Sequence, residues 1–380
     1  MTLGEESLRL HKKLNGKIAT KVLIPIKDKH TLSLVYTPGV GEVSKVIASD
    51  INKVYDYTIK GHTVAIVSDG SAVLGLGNIG PEAALPVMEG KAALFKTFAN
   101  LDAFPICLAT QDVAEIVKTV GYLAPVFGAI NLEDISAPRC FAAEEQLQDL
   151  GIPVMHDDQH GTAAVVLAGL LNASKVAGKE MKNLKVVVCG AGAAGFAITQ
   201  RLISEVREIV VVDSQGIIHT DRNDLNEYKK LIARKTNRNK IVGGLKDALL
   251  GADVFVGVSK GGLFLPEYIK LMATRSIIFA MANPIPEIMP DLAKKAGAFI
   301  IATGRSDFSN QINNSLAFPG IFKGALQARA IRITGEMKQA AARAIAGLVP
   351  NPTIDKIIPD PFEKGLVDAV SKAVAQAWKG

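Results

Sequence analysis

The chain has 380 residues, 48% of them hydrophobic and 21% charged, with a formal net charge of +6. That length suffices for two hydrophobic cores, and no run approaches the roughly 18 apolar residues of an ordinary membrane span. The basic excess is spread along the chain, which suits an anionic small ligand rather than nucleic acid, and Cys107, Cys140 and Cys189 form no CxxC or Cys/His cluster, which excludes a disulfide framework and a zinc site.

The amino terminus, MTLGEESLRLHKKLNG, is amphipathic and carries acids, unlike a signal peptide. Together these features point to a cytoplasmic protein with no membrane partner. From residue 63 onward, short apolar runs alternate with helical patterns, the signature of β-α-β units and parallel sheets. Strands are expected at 63–67, 103–108, 127–131 and 152–155. Helices are expected at 81–100, 112–120, 139–150 and 162–177, the first opened by Pro81, a good first-turn residue. The pattern restarts with strands at 185–189, 209–212, 253–258, 276–280 and 299–302. A proline-bearing tail from residue 348 ends in a helix at 362–378. The fold class is α/β with two domains: a substrate, metal and catalytic domain at 1–160, and a Rossmann-type dinucleotide domain with a helical tail at 161–380.

Two stretches match G-x-G-x-x-G, and context separates them. Gly190-Ala191-Gly192-Ala193-Ala194-Gly195 follows a strand directly and opens a helix. The next strand ends in Asp213, about twenty positions on, where an acid accepts ribose hydroxyls. Gly190 permits the tight turn, Gly192 the approach of a pyrophosphate, and Gly195 the close packing of helix on strand. An uncompensated Asp213 would repel a 2′-phosphate, which favours NAD over NADP, although Arg222 is near enough in sequence to reach a phosphate. The other match, Gly75 to Gly80, is separated from its strand by Asp69-Gly70-Ser71-Ala72, and the following strand ends without an acid. It reads as substrate-side structure.

Glu133 and Asp134 end one predicted strand, and Asp157 and Asp158 end the next. In a parallel sheet these positions share the ligand-binding edge. Four convergent carboxylates repel one another without a cation, and a hard divalent ion, Mg²⁺ or Mn²⁺, answers with oxygen ligation. His156 and His160 flank the second pair and read as supporting or packing residues. Lys91 lies in an otherwise apolar helix. Burial or nearby cations would make it a general base, and a lysine that snorkels to solvent is the competing reading. Tyr36, in Tyr-Thr-Pro-Gly, is either a proton donor or a packing anchor. Asn283, Asn313 and Asn314 follow strand ends, where amides either hold a carboxylate ligand or shape loops.

The stretches YTPGVG at Tyr36, SDGSAVLGLGNIG from Ser68, the GK of Lys91, INLEDISAPRCF from Ile130, HDDQHGTA from His156, CGAGAAG from Cys189, ANPIPE from Ala282 and SNQINNSLAFPG from Ser309 run in one order over almost the whole chain. Together they resemble the malic enzymes, NAD(P)-dependent oxidative decarboxylases of malate, in their compact bacterial and archaeal form. The resemblance implies that Glu133, Asp134 and Asp158 are divalent-metal ligands. It implies Lys91 as general base with Asp157 as its charge partner, and Tyr36 as general acid. It implies Asn283 and Asn314, with Asn313 beside them, as substrate-carboxylate ligands. The loop 190–195, Asp213 and Asn283 become the cofactor site for NAD or NADP. Malate would give pyruvate and CO₂, and oxaloacetate would also be decarboxylated. A homodimer is implied, with the active site shared between subunits and the amino-terminal segment at the interface. One departure stands out: larger members carry an arginine before GLG, where this chain has Ser71-Ala72. Two other classes fit parts of the pattern. A metal-independent amino-acid-type dehydrogenase also uses a lysine of its first domain, and a dinucleotide-sensing protein needs only the glycine loop.

Overall fold

The structure is a computed structural model that describes residues 2–380. It opens with four short helices, α1 (Leu3–Leu14), α2 (Lys29–Val35), α3 (Val40–Ser49) and α4 (Val54–Tyr57). The first begins where Thr2 and Glu5 cap each other's backbone N–H groups, the reciprocal bonding that a Thr-x-x-Glu start allows. None of the four buries a residue. Seventeen of the thirty-one large apolar side chains exposed among the described residues lie between Leu3 and Ile59, so this segment is apolar without being packed.

Strand and helix then alternate through β1 (Thr63–Ser68), α5 (Pro81–Leu94), β2 (Asp102–Cys107), α6 (Val113–Leu123), β3 (Ala129–Leu132), α7 (Arg139–Gln146) and β4 (Val154–His156). The four strands form a parallel sheet in the order β2-β1-β3-β4. A long helix, α8 (Asp157–Ala177), leads to the second sheet. That sheet contains β5 (Lys185–Cys189), β6 (Glu208–Asp213), β7 (Gly216–Ile217), β8 (Val254–Gly257), β9 (Ile277–Ala280) and β10 (Ile300–Thr303), in the order β10-β9-β8-β5-β6-β7. Only β7 runs antiparallel to its neighbour. Helices α9 (Ala193–Leu202), α10 (Glu227–Lys235), α11 (Leu245–Leu249) and α12 (Pro290–Lys295) belong to this half, and α13 (Phe318–Gln327), α14 (Gly335–Gly347) and α15 (Leu366–Ala377) form the tail.

Both sheets are wound alike. The first strand of each has the second on one side and a later strand on the other. A crevice therefore opens at the carboxyl ends, between β1 and β3 and again between β5 and β8. The strands read as apolar runs because both faces are covered. Val64 and Ile66 enter one core while Ala65 and Val67 enter another, with α6 and α7. In the second sheet Val186 and Val188 join the first of these cores, and Val187 and Cys189 enter a third with Phe255 and Phe264.

The core common to both sheets is built around α8, most of whose 21 residues are buried. It packs on α9 and α14. The tail closes the same core from the other end, where the Phe95 ring lies 4.7 Å from Phe318 and 5.4 Å from Phe322. The helix expected from residue 162 starts earlier, at Asp157. Residue 160 is thus inside α8 and not in a linker, and the core runs across the expected domain boundary. Asp157 and Asp158 head that helix, where the amino-terminal dipole favours carboxylates. Gly161 lies within this helix, where a Cβ would stand 1.8 Å from Asp157 Oδ1. It marks a close approach rather than a helix start. The helix expected over 81–100 also changes winding. After α5 it makes a π-helical turn, Phe95–Ala99, closed by Asn100 in the left-handed conformation.

Candidate active site

The loop between β5 and α9 uses each glycine differently. Gly190 has φ +112°, and a Cβ there would lie 2.5 Å from the Val258 carbonyl oxygen. Gly192 faces open space, and a Cβ on Gly195 would lie 1.8 Å from the Gly190 carbonyl oxygen. Helix α9 begins at Ala193 with Gly192 as its N-cap and no side chain bonded to its free N–H groups, which leaves them for an anion. A cleft of about 700 Å³ opens on this loop, lined among others by Gly190, Gly192, Asp213, Ser214, Lys229 and Ser259.

At the ribose end the expected uncompensated carboxylate is absent. Asp213 accepts hydrogen bonds from Arg222 Nη1 at 2.8 Å and from Lys229 Nζ at 2.6 Å, with 5% of its side chain exposed. Burial raises its carboxyl, but the bonds from Arg222 and Lys229 outweigh that and hold it below the ordinary range. Lys229 arrives on α10, and no local signal in the sequence links it to β6. The repulsion that favoured NAD is therefore largely cancelled in place.

The loop 75–80 binds protein instead. Ala72 N–H donates to the Asp134 carbonyl at 2.9 Å and Val73 N–H to that of Gly77 at 3.0 Å. Gly75 lies so close to Asn283 that a Cβ would stand 2.3 Å from its carbonyl oxygen. This loop therefore links the acidic turn of the first sheet to the Asn283 loop of the second. Ser71 donates to Asp69 and accepts the Ser136 N–H at 2.9 Å. Arg139 faces the same Asp69 at 3.4 Å. This corner is a latch between segments.

The carboxylates converge. Oxygen atoms of Glu133, Asp134 and Asp158 lie within 4.8 Å of one another. Asn131 Nδ2 donates to Glu133 Oε2 at 2.9 Å, and the Asp134 N–H to Asp158 Oδ2 at 2.9 Å. Asp134 has φ +53°, a turn conformation that aspartate tolerates. Burial, then the charges of Asp158 and Glu133, push Asp134 up to about 9. Burial likewise raises Glu133 and Asp158. Asp134 Oδ2 is buried without a hydrogen-bond partner. A compact all-oxygen donor set with surplus negative charge and an orphaned buried oxygen fits a hard divalent cation.

Lys91 stands against this cluster. It is 7% exposed, with Nζ 2.7 Å from Glu133 Oε1 and an ion pair to Asp157. Its ammonium also lies 4.1 Å from the centre of the Phe318 ring. Burial opposes its charge, but Asp157, Glu133 and Asp158 prevail and hold it above the ordinary lysine value. It does not snorkel. Asp157 is fully buried, and burial pushes it up to about 8 despite Lys91.

The head of α8 is held by a residue that the sequence did not single out. Glu144 of α7 accepts the His156 N–H at 3.0 Å, Gln159 Nε2 at 3.1 Å and His160 Nε2 at 2.9 Å. It thereby ties the segment after β3 to the segment after β4. Burial would raise its carboxyl, but His160 and Lys338 outweigh burial and pull it to about 2. Glu287 does a similar service in the second sheet, accepting the N–H groups of Ser259 at 2.9 Å and Ala282 at 3.0 Å. Both are acids whose partners lie on other loops, so local pattern carries no trace of them.

The remaining expected residues divide. Asn314 packs at the Gly161 turn, 3.2 Å from where a Cβ would stand, beside Asp157. The amide of Asn283 points at Gly304, with Nδ2 3.0 Å from a Cβ built there. Asn313 is spent on structure, since its Oδ1 accepts the Ser315 N–H at 2.9 Å. Tyr36 makes no side-chain hydrogen bond to the carboxylates among the described residues. It is 67% exposed at the end of α2, a helix that buries nothing.

Two mainly parallel sheets, one carrying a dinucleotide-type glycine loop and the other a lysine among carboxylates suited to a divalent cation, define a dinucleotide-dependent dehydrogenase. Residues 159–378 match the family model described as "Malic enzyme, NAD binding domain", and residues 15–113 match "Malic enzyme, N-terminal domain". The bifunctional malic/malolactic enzyme of Bacillus subtilis is 57% identical, over 99% of this chain and 93% of its own. The NAD-dependent malic enzyme of Geobacillus stearothermophilus is 55% identical, over 99% and 79%. A crystal structure of the NAD-dependent malic enzyme from Thermotoga maritima superposes with a TM-score of 0.94 at 52% identity, covering 97% of this chain and 98% of that one. The chain belongs to the malic enzyme family. That membership displaces the amino-acid-type alternative.

Replacing Glu144 with alanine leaves buried donors without a partner and should cost about 1–3 kcal/mol. Because the folded carboxyl lies below its ordinary 4.5, its stabilisation is complete above that value and fades as pH falls toward 2. Urea midpoints of wild type and Glu144→Ala should therefore stay apart down to about pH 4 and converge only below it. A gap already closed at pH 5 would remove this account of Glu144.

Proposed function

We propose that the chain oxidatively decarboxylates malate to pyruvate and CO₂ with reduction of NAD(P), and also decarboxylates oxaloacetate. The observation that carries this reading is the single buried lysine in contact with carboxylates that can share one divalent cation. Glu133, Asp134 and Asp158 hold Mg²⁺ or Mn²⁺, and the loop 190–195 with Asp213 and Asn283 holds the dinucleotide. When bound, the cofactor accepts the hydride, and the cation polarises substrate oxygens and relieves Lys91 of two of its carboxylates. Lys91 takes the proton of the C2 hydroxyl, oriented by Asp157. Asn283 and Asn314, with Asn313 shaping their loop, grip the substrate carboxylates. Tyr36 delivers a proton to C3 once CO₂ has left. Three free cysteines suit a reducing cytoplasm.

Tyr36 does this work across a homodimer. The unpacked apolar surface of residues 3–59 is the kind that marks an interface, and a second copy brings its exposed tyrosine to the partner's Lys91. The ribose end accepts both cofactors, with NAD preferred. Asp213 retains acceptor capacity for ribose hydroxyls, while Arg222 and Lys229 offset its repulsion of a 2′-phosphate.

Lys91→Ala should lower kcat with malate by about 10²–10⁴-fold, the usual worth of a general base, and EDTA should stop the wild type until Mn²⁺ is restored. A rate indifferent to EDTA would sink the cation reading. Separately inactive Lys91→Ala and Tyr36→Phe chains, mixed and allowed to exchange subunits, should regain activity, because one site of each mixed dimer keeps both residues. No recovery would place both residues in one chain. Asp213→Ala should unmask Arg222 and Lys229 and raise the NADP/NAD ratio of kcat/KM about tenfold, equivalent to about 1.4 kcal/mol. An unchanged ratio would show that those cations do not face the 2′ position.

A further inference from the structure

A second concavity, of about 500 Å³, opens beside the cofactor cleft. Helix α10 is the wall between the two. Tyr228, Lys229 and Ile232 line the cofactor side, and Ala233, Arg234 and Lys235 line the other. Arg238 and Lys240 complete the rim, with His219 and one acid, Asp221. Four fixed cations thus face a single carboxylate, in a chain whose whole excess is +6.

The helix end explains only half of this charge. Arg234 and Lys235 occupy the last turn of α10, where cations complement the dipole. Arg238 and Lys240 lie beyond it, on a loop whose shape is fixed from within. Asn237 donates to the Ile241 carbonyl and accepts the Ile241 N–H, both at 2.8 Å. Asn239 donates to both Glu208 oxygens, at 2.8 and 2.9 Å. Nearby Arg222, Lys229 and Lys230 are each held by an acid. Among the described residues, none of the four rim cations is. A rigid loop and a helix end therefore hold four unneutralised charges around one cavity of small-molecule size.

A single phosphate would engage one or two of these cations. Engaging all four calls for several charges on one molecule, joined closely enough to enter the cavity. We propose that this cavity binds a polyphosphorylated small molecule, a nucleoside triphosphate or a compound with a similar phosphate chain, and that α10 couples its occupancy to the cofactor cleft. An anion drawing in Arg234 and Lys235 acts on the helix that also positions Lys229 against Asp213. By linkage the coupling is reciprocal, and typical values change affinity about 5–150-fold.

The probes are inorganic tripolyphosphate and ATP, titrated calorimetrically into the full chain in EDTA at about 150 mM salt, where surface charges are screened beyond about 8 Å. The cofactor cleft is first filled with NADH. Tripolyphosphate is expected to bind once per chain, and ATP at the same site. The double variant Arg234→Glu/Arg238→Glu should weaken both about tenfold or more, a loss of about 1.4 kcal/mol or above. The milder Lys235→Gln/Lys240→Gln should weaken them less. All these residues are exposed and outside the catalytic machinery, so malate oxidation without effector should match wild type in both variants. NADH affinity should shift several-fold with tripolyphosphate in wild type and not in the glutamate variant. Equal binding by the glutamate variant, or complete displacement of tripolyphosphate by NADH, would overturn the site. Binding that leaves NADH affinity unmoved would overturn the coupling. Failure of the wild type to oxidise malate would count against the activity proposed above and not against this cavity.

Discussion

At the carboxyl edge of the first sheet, the buried Glu133, Asp134 and Asp157 and the partly exposed Asp158 are gathered around the ammonium of Lys91. Charges so buried repel strongly unless they are paired or neutralised. Lys91 answers two of them directly, and the orphaned Asp134 oxygen marks where the protein's own cations run out. Much of the surrounding structure holds this unfavourable group together. The dipole of α8 faces its acids, Asn131 and backbone N–H groups satisfy individual oxygens, and Glu144 pins the two acidic segments to each other. A hard divalent cation at these oxygens would relieve that repulsion.

The same constraint explains why α8 is the central helix. Its first turn belongs to the charged site and its body to the core shared by both sheets. A rigid apolar rod is a precise way to aim Asp157 and Asp158 across a gap. The tail returns for a related reason: Phe318 covers the Lys91 ammonium and also anchors Phe95, so the lysine's surroundings come from both ends of the chain. The second sheet repeats the winding of the first and sets its glycine loop at the equivalent crevice. The loop 75–80, seated on Asn283, links the first sheet to the second.

Charge also organises the region around α10. One end of this helix neutralises Asp213 at the cofactor's ribose end, and the other end lines the basic cavity. The amino-terminal segment poses the converse problem. It carries apolar side chains with no core to enter, and Tyr36, the proposed proton donor, sits among them.

Local chemistry in the sequence determined a good deal of this protein. Short apolar runs identified the parallel strands, because a strand covered on both faces has no polar side. Gly190, Gly192 and Gly195 announced a dinucleotide loop, because each fills a distinct steric demand that other residues cannot meet. The convergence of the paired acids after two successive strands was legible, because parallel sheets gather strand ends on one edge. Tertiary structure alone decided the rest. Lys91 was ambiguous until its burial against Asp157 and Glu133 was seen, since an apolar helix face does not say what it faces. Asp213 looked uncompensated because Arg222 and Lys229 reach it only when β6, its following loop and α10 fold together. Glu144 and Glu287 left no local signature, as their partners, backbone N–H groups and the side chains of Gln159 and His160, lie outside their own segments. The helix expected from residue 162 began at Asp157, because Gly161 leaves room inside it for that carboxylate. Residue types at short spacing fix which contacts a segment can make with itself, whereas charge compensation at long range depends on which segments the folded chain brings together.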